Sequence, residues 1–228
     1  MRKSQQCVLN GAGVNLSSHV LLPYPEDKQV FYFLFMGRVM KEKGIDEIIV
    51  VVGYLHEQFD YLKEKYNVEL VFNDKYSEYN NFYSLYLVKE KLADSYVIDA
   101  DNYLFKNMFR ADIDRSTYFS VYREDCENEW FLIYGDDYKV QDIIVDSKAG
   151  RILSGVSFWD KQTAEKIVSF IDKAYESNEF MNLYWDNMVK DNIERLDVYV
   201  EELEPNSIYE IDSVKDYHKL EEILSTIK

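Results

Sequence analysis

The chain has 228 residues, 47% of them hydrophobic, which is enough for one large domain or two small ones and too apolar for wholesale disorder. Lys and Arg number 26 against 42 Asp and Glu, a formal net charge of −16. That balance argues against nucleic acid or an anionic membrane as the main partner, and an anionic nucleotide would need a metal and a few local basic groups. The 2 cysteines, Cys7 and Cys126, cannot build a disulfide framework and match no zinc spacing, so a reducing cytoplasm fits best.

Arg2 and Lys3 precede a mixed polar stretch with no apolar core, so no signal peptide is read there. Gly11-Ala12-Gly13 reads either as a plain loop or as a phosphate-cradling turn after the meagre strand Cys7-Val8-Leu9. Pro23 and Pro25 break any helix that follows. Val30 to Met36 is strongly apolar but far too short to span a bilayer, and it reads as a buried strand or helix segment.

Regular organisation is predicted from Lys41. Glu42-Lys43-Gly44 reads as a helix end with a glycine stop, and Glu47 to Val52 as a buried strand. Leu55, Phe59, Leu62 and Tyr66 recur at helical spacing, Val68 to Phe72 is strand-like, and Asn80 to Leu92 is helical again. A central strand follows at 96–101. This β-α-β-α-β alternation predicts a three-layer α/β architecture with a parallel sheet. Beyond Phe109, Thr117 to Arg123, Glu129 to Tyr134, Val140 to Val145 and Ile152 to Phe158 read as added antiparallel strands, with turns at Gly135-Asp136-Asp137 and Ser147 to Gly150. Asp160 caps a helix carrying Ala164, Ile167, Val168 and Ile171 on one face. Asn182 to Ile193 is a second helix and Val198 to Leu203 a strand. Ser213 to Asp216 opens a terminal helix with Val214, Tyr217, Leu220 and Leu224 facing inward. No repeat, low-complexity tract or linker interrupts the chain, so residues 1–228 read as one domain.

Two acidic pairs stand out. In Tyr96 to Asn102 an apolar run ends in Asp99 and Asp101, spaced so that a strand would put both on one face. Glu210 and Asp212 repeat the spacing after another strand-like run. The pairs suit either a hard divalent cation with a phosphate ligand or plain solvated turns. Aromatics make up 16% of the chain, and one grouping carries chemistry. Glu129-Trp130 and Tyr184-Trp185-Asp186 could box a quaternary ammonium, which has no N–H and is recognised by aromatic faces and negative charge; they could equally be core aromatics. His19, His56 and His218 lack a nucleophile partner and read as surface residues.

From Lys41 onward the sequence resembles the bacterial CTP:phosphocholine cytidylyltransferases of the sugar-nucleotidyltransferase superfamily. The segments that carry the resemblance include KEKGIDEIIVVVGYLHEQFDYLKEKY, VFNDKYSEYNNFYSLYLVKE, SYVIDADNYLFKNMFR, GRILSGVSFWD, LYWDNMVKDNI and NSIYEIDSVKDY, over roughly four-fifths of the chain. The resemblance implies a Rossmann-like nucleotidyltransferase fold of the GT-A-like type, with a mixed, mainly parallel sheet. Residues 41–110 would form the nucleotide-binding part and 111–228 the acceptor-binding part. It implies that Asp101 and Asp212 hold Mg²⁺ with Glu210 beside them, and that these three form the catalytic group. Trp130, Tyr184, Trp185 and Asp186 would surround the choline head, and Asn81 and Ser84 would lie near the cytidine. The implied reaction joins CTP and phosphocholine into CDP-choline and pyrophosphate, with neither nucleic acid nor membrane insertion involved.

Residues 1–40 depart from that pattern. The superfamily's loop has the form G-x-G-[ST]-R-x-x-P-x-T with a Pro-Lys pair soon after, whereas this chain reads VLNGAGVNLSSHVLLPYPEDKQV. Gly11 and Gly13 match only with a gap, the Arg position falls near Leu16, and Lys28 stands three residues from Pro25. A catalytically impaired homologue that keeps choline binding is therefore the alternative to the working enzyme.

Overall fold

The computed structural model describes residues 34–40, 44–110 and 112–226. The readings attached to Arg2, Lys3, Cys7, Gly11, Gly13, Leu16, His19, Pro23, Pro25 and Lys28 lie outside the described residues. In chain order the elements are β1 Leu34–Met40, β2 Gly44–Val52, α1 Tyr61–Tyr66, β3 Glu69–Phe72, α2 Asn81–Val88, β4 Ser95–Asp99 and β5 Asn102–Leu104. Then come β6 Thr117–Arg123, β7 Glu129–Tyr134, β8 Val140–Asp146, β9 Gly150–Trp159 and α3 Lys161–Glu176. The chain closes with α4 Asp186–Lys190, β10 Tyr199–Glu202, β11 Ile208–Glu210 and α5 Val214–Thr226.

The main sheet runs β10-β6-β9-β4-β1-β2-β3, with β7 joined to β9 and β8 to β7. It is mixed. Direct parallel pairing occurs at β2–β3 and β6–β10, and the other pairings are antiparallel. The parallel bias of the sequence survives in strand direction: β3, β2, β4, β6 and β10 all point one way, and β1 and β9 run against them. Those two reversed strands sit between co-directional ones, which turns most contacts antiparallel. The expected helix end at Glu42-Lys43-Gly44 is corrected, because Gly44 opens β2 opposite Met40 of β1.

Side-chain alternation sorts the core onto the two faces of the sheet. Val97, Tyr118 and Trp159 join Leu85 of α2 and Ile167 and Ile171 of α3 in one apolar cluster. Tyr96, Ile98, Phe119, Val156 and Phe158 belong to a second cluster. Burial of each such aliphatic or aromatic side chain is worth roughly 1.5–3 kcal/mol. The Asp160 carboxylate accepts the Gln162 and Thr163 N–H groups and so starts α3, as predicted. The helix expected over Asn182 to Ile193 is shorter: only Asp186–Lys190 is α-helical, because the preceding residues form the turn that delivers Tyr184 and Trp185. In α5, Leu220 is buried but Val214 is exposed, since it lies in the first turn beyond the core.

Candidate active site

The acidic pairs meet through a two-stranded ribbon. β4 stops at Asp99 and the chain turns at Ala100–Asp101 before β5, so strand alternation does not carry from Asp99 to Asp101 as the sequence suggested. Instead β11 pairs antiparallel with β5, placing Glu210 opposite Asn102. The Ile211 N–H donates to the Asp101 carbonyl at 2.9 Å. This register gathers Asp101, Glu210 and Asp212 so that one oxygen from each lies within 4.8 Å of the others.

β9 supplies the opposite wall. Its register with β6 shifts between Phe119 and Ser120, so Ser154 and Gly155 bulge out of the ladder. Gly155 has φ +73°, and a Cβ there would stand 2.4 Å from Asn102 Nδ2 and 3.1 Å from Asp99 Oδ2. Only glycine lets the strand approach the acidic turn this closely. The Asn102 amide, nearly buried, donates to the Asp99 carbonyl and to Asp101 Oδ1, both at 3.3 Å.

The aromatic residues line the same cleft. Trp130 projects from β7 and meets Tyr184 edge-on, with centroids 6.4 Å apart. Trp185 precedes α4 and packs edge-on against Trp159 at 5.7 Å. Its backbone N–H donates to Asn81 Oδ1 at 3.0 Å, which ties α2 to this turn across 104 residues. Asp186 opens α4 and accepts the Tyr118 hydroxyl at 2.7 Å. Together Asn81, Asp99, Asp101, Tyr118, Glu129, Trp130, Gly155, Tyr184, Trp185, Asp186 and Glu210 line a cavity of about 180 Å³. Ser84 is not brought to it: the residue is 1% exposed and accepts from Asn73 Nδ2 at 3.0 Å inside the core.

Among the described residues no Lys, Arg or His lines this cavity. Desolvation, then the Asp212 charge, pushes Asp101 up to about 6. Desolvation, then Asp212, Asp101 and Glu129, pushes Glu210 up to about 8. Burial raises Asp186 to about 7, although the Tyr118 hydroxyl and the Asp186 backbone N–H both favour its charged form. Asp99 is raised well above the usual carboxylate range by burial and by Asp186, Asp101 and Glu210. Three carboxyl oxygens gathered this closely could hold a hard divalent cation, and the donor chemistry of Asp101, Glu210 and Asp212 fits one.

The sequence pointed to most of these residues but not to Tyr118, Asn102 or Gly155. Tyr118 is one of 20 tyrosines in a strand of alternating pattern, and nothing local marks it. Gly155 carried the available signal, an isolated glycine inside a strand run.

No protein-family model matches the chain. The choline-phosphate cytidylyltransferase of Streptococcus pneumoniae is 85% identical over 185 residues, 81% of this chain and 81% of that protein. The solved structure of the CTP:phosphocholine cytidylyltransferase from Streptococcus pneumoniae superposes with a TM-score of 0.78 over 81% of each chain, at 85% identity. The choline-phosphate cytidylyltransferase of Haemophilus influenzae is 40% identical over 183 residues, 79% of this chain and 78% of its own. A 2-aminoethylphosphonate cytidylyltransferase of Lancefieldella rimae is 32% identical over 177 residues, 76% of this chain and 72% of its own.

Proposed function

The chain belongs to the choline-phosphate cytidylyltransferases, and on that premise we propose that it transfers CMP from CTP to phosphocholine, forming CDP-choline and pyrophosphate. Its fold is the Rossmann-like α/β fold of nucleotidyltransferases. The observation that carries the reading is one cavity lined both by Asp101 and Glu210 of the three-carboxylate cluster and by Trp130, Tyr184, Trp185 and the half-buried Asp186. A cation site for phosphate oxygens beside aromatic rings for a quaternary ammonium is the pair of chemistries a phosphate ester of choline calls for. Identity at this level favours the working enzyme over a homologue that only binds choline.

A phosphocholine oxygen attacks the α-phosphorus of CTP in line. The new O–P bond forms as the bond to the β-phosphate bridge breaks, and pyrophosphate leaves. The second phosphate ionisation lies near ~6, so the attacking oxygen is already largely deprotonated and needs no general base. What remains is positioning and charge stabilisation. Trp130, Tyr184 and Trp185 offer their ring faces to the trimethylammonium, and Asp186 supplies the negative charge. Asp101 and Asp212, with Glu210 beside them, would hold the divalent cation, which we take to be Mg²⁺; when bound it neutralises phosphate oxygens. Asn81 fixes the Trp185 turn from the nucleotide side. Ser84 belongs to that side through Asn73, which it steadies after β3.

No helix among the described residues is long and apolar enough to cross a membrane. We assign the chain to the cytoplasm from its cysteine usage and its small-molecule chemistry. Trp130→Ala tests the aromatic box. It should raise KM for phosphocholine on the order of tenfold and leave KM for CTP unchanged. Equal loss for both substrates would remove Trp130 from the choline pocket.

A further inference from the structure

Trp185 carries an unmet hydrogen bond at the cleft. Its indole Nε1 is buried and has no partner, and among the described residues only the Ser154 hydroxyl shares that condition. Trp159 shows the contrast: its indole, also buried, donates to Ser157 Oγ at 2.9 Å. Trp185 is held in place. Its backbone N–H donates to Asn81 Oδ1 at 3.0 Å, its carbonyl accepts the Met188 N–H at 2.9 Å, and its ring packs edge-on against Trp159 at 5.7 Å. The residue nevertheless lines the cavity, together with the carboxylates of Asp99, Asp101, Glu129, Asp186 and Glu210, and none of these accepts the indole N–H.

A buried donor without a partner has given up water and gained nothing in return, a cost that an acceptor on a ligand recovers. A π face such as the Trp159 ring is a weak substitute. A trimethylammonium has no lone pair and cannot accept, whereas a phosphate ester brings anionic oxygens, the stronger class of acceptor. We propose that the Trp185 Nε1–H donates to a phosphate oxygen of phosphocholine. The indole then serves both parts of one ligand: the ring meets the methyl groups and the N–H meets the phosphate. That bond holds the attacking group beside Asp101 and Glu210, which line the same cavity. The inference rests on the phosphocholine reading above and deepens it by assigning the phosphate a donor from the chain itself.

The indole ¹H–¹⁵N resonances of the full chain test this. The 3 tryptophans give one signal each, and Trp185→Phe identifies the signal of Trp185 by its loss. Spectra are recorded with Mg²⁺ and a CTP analogue whose α,β-bridging oxygen is replaced by methylene, so that a ternary complex forms without turnover. Phosphocholine should move the Trp185 signal downfield, as a new bond to an anionic oxygen requires. Tetramethylammonium fills the cation site but carries no oxygen, and should leave the signal in place. The proposal is overturned if bound phosphocholine does not move the signal, if tetramethylammonium or choline moves it equally, or if the CTP analogue alone does so. Calorimetric titration supplies a second readout. Trp185→Phe keeps an aromatic ring and loses the N–H, so it should weaken phosphocholine about tenfold and tetramethylammonium far less. Equal weakening of both leaves Trp185 a ring contact only and overturns its role as donor. If Trp185→Phe does not fold, triple-resonance assignment of the unaltered chain identifies the signal, and the ligand series still decides. Binding by neither phosphocholine nor tetramethylammonium overturns the functional reading and this inference together, whereas bound phosphocholine with an unmoved signal overturns the inference alone.

Discussion

Asp101 and Glu210 carry the electrostatic character of the cleft. Their folded-state pKa values, about 6 and about 8, stand above the ordinary 3.8 and 4.5 because the carboxyls are desolvated and crowded together. The folded, metal-free protein therefore holds protons that the unfolded chain releases. Each group opposes folding increasingly as pH rises from its unfolded pKa to its folded one, and the full cost is present above the folded value. A bound cation displaces those protons, so metal affinity rises with pH over the same window. Mg²⁺ should thus raise Tm more at pH 8 than at pH 6. Melts with and without the ion check this, and an equal gain at both pH values would count against the cluster as the metal site. At this scale the sequence was informative where acids repeat with fixed spacing, as in Glu210 and Asp212. It was silent on Tyr118, because the hydroxyl's partner lies 68 residues away and only tertiary packing joins them.

Among the elements, β9 does most to shape the site. Its bulge at Ser154–Gly155 lets the strand pass against the acidic turn, with Asn102 wedged between them. Gly155→Ala puts a methyl group 2.4 Å from Asn102 Nδ2 at a backbone angle that suits glycine, a strain of about 1–3 kcal/mol. The variant should lose the Mg²⁺-dependent rise in Tm while titration still detects phosphocholine. Retention of the full metal effect would show that the bulge does not position the acids. Strand and helix locations were largely legible, because β-branched runs such as Glu47 to Val52 and the helical stripe after Asp160 follow periodicity alone. The breaks were not. β4 ends at Asp99 and α4 shrinks to five residues because the cleft needs turns at those points, and local propensity does not register a cleft.

The whole molecule is an acidic chain, at −16, proposed to bind two anionic substrates in a cleft lined by no Lys, Arg or His among the described residues. The proposed chemistry would therefore draw on a cation at the carboxylate cluster. The resemblance in the sequence carried the family over roughly four-fifths of the chain, and the 85% identical relative spans 185 of the 228 residues. Composition and spacing alone gave an α/β protein with a possible metal site and a possible cation box. They did not join the two, because the joining depends on β11 pairing with β5 and on Asn81 reaching Trp185. The most direct measurement is pyrophosphate release by the full chain from CTP and phosphocholine with Mg²⁺. The account predicts release that requires both substrates and stops when either is omitted. A cooperatively folded protein that binds phosphocholine yet releases no pyrophosphate would contradict it.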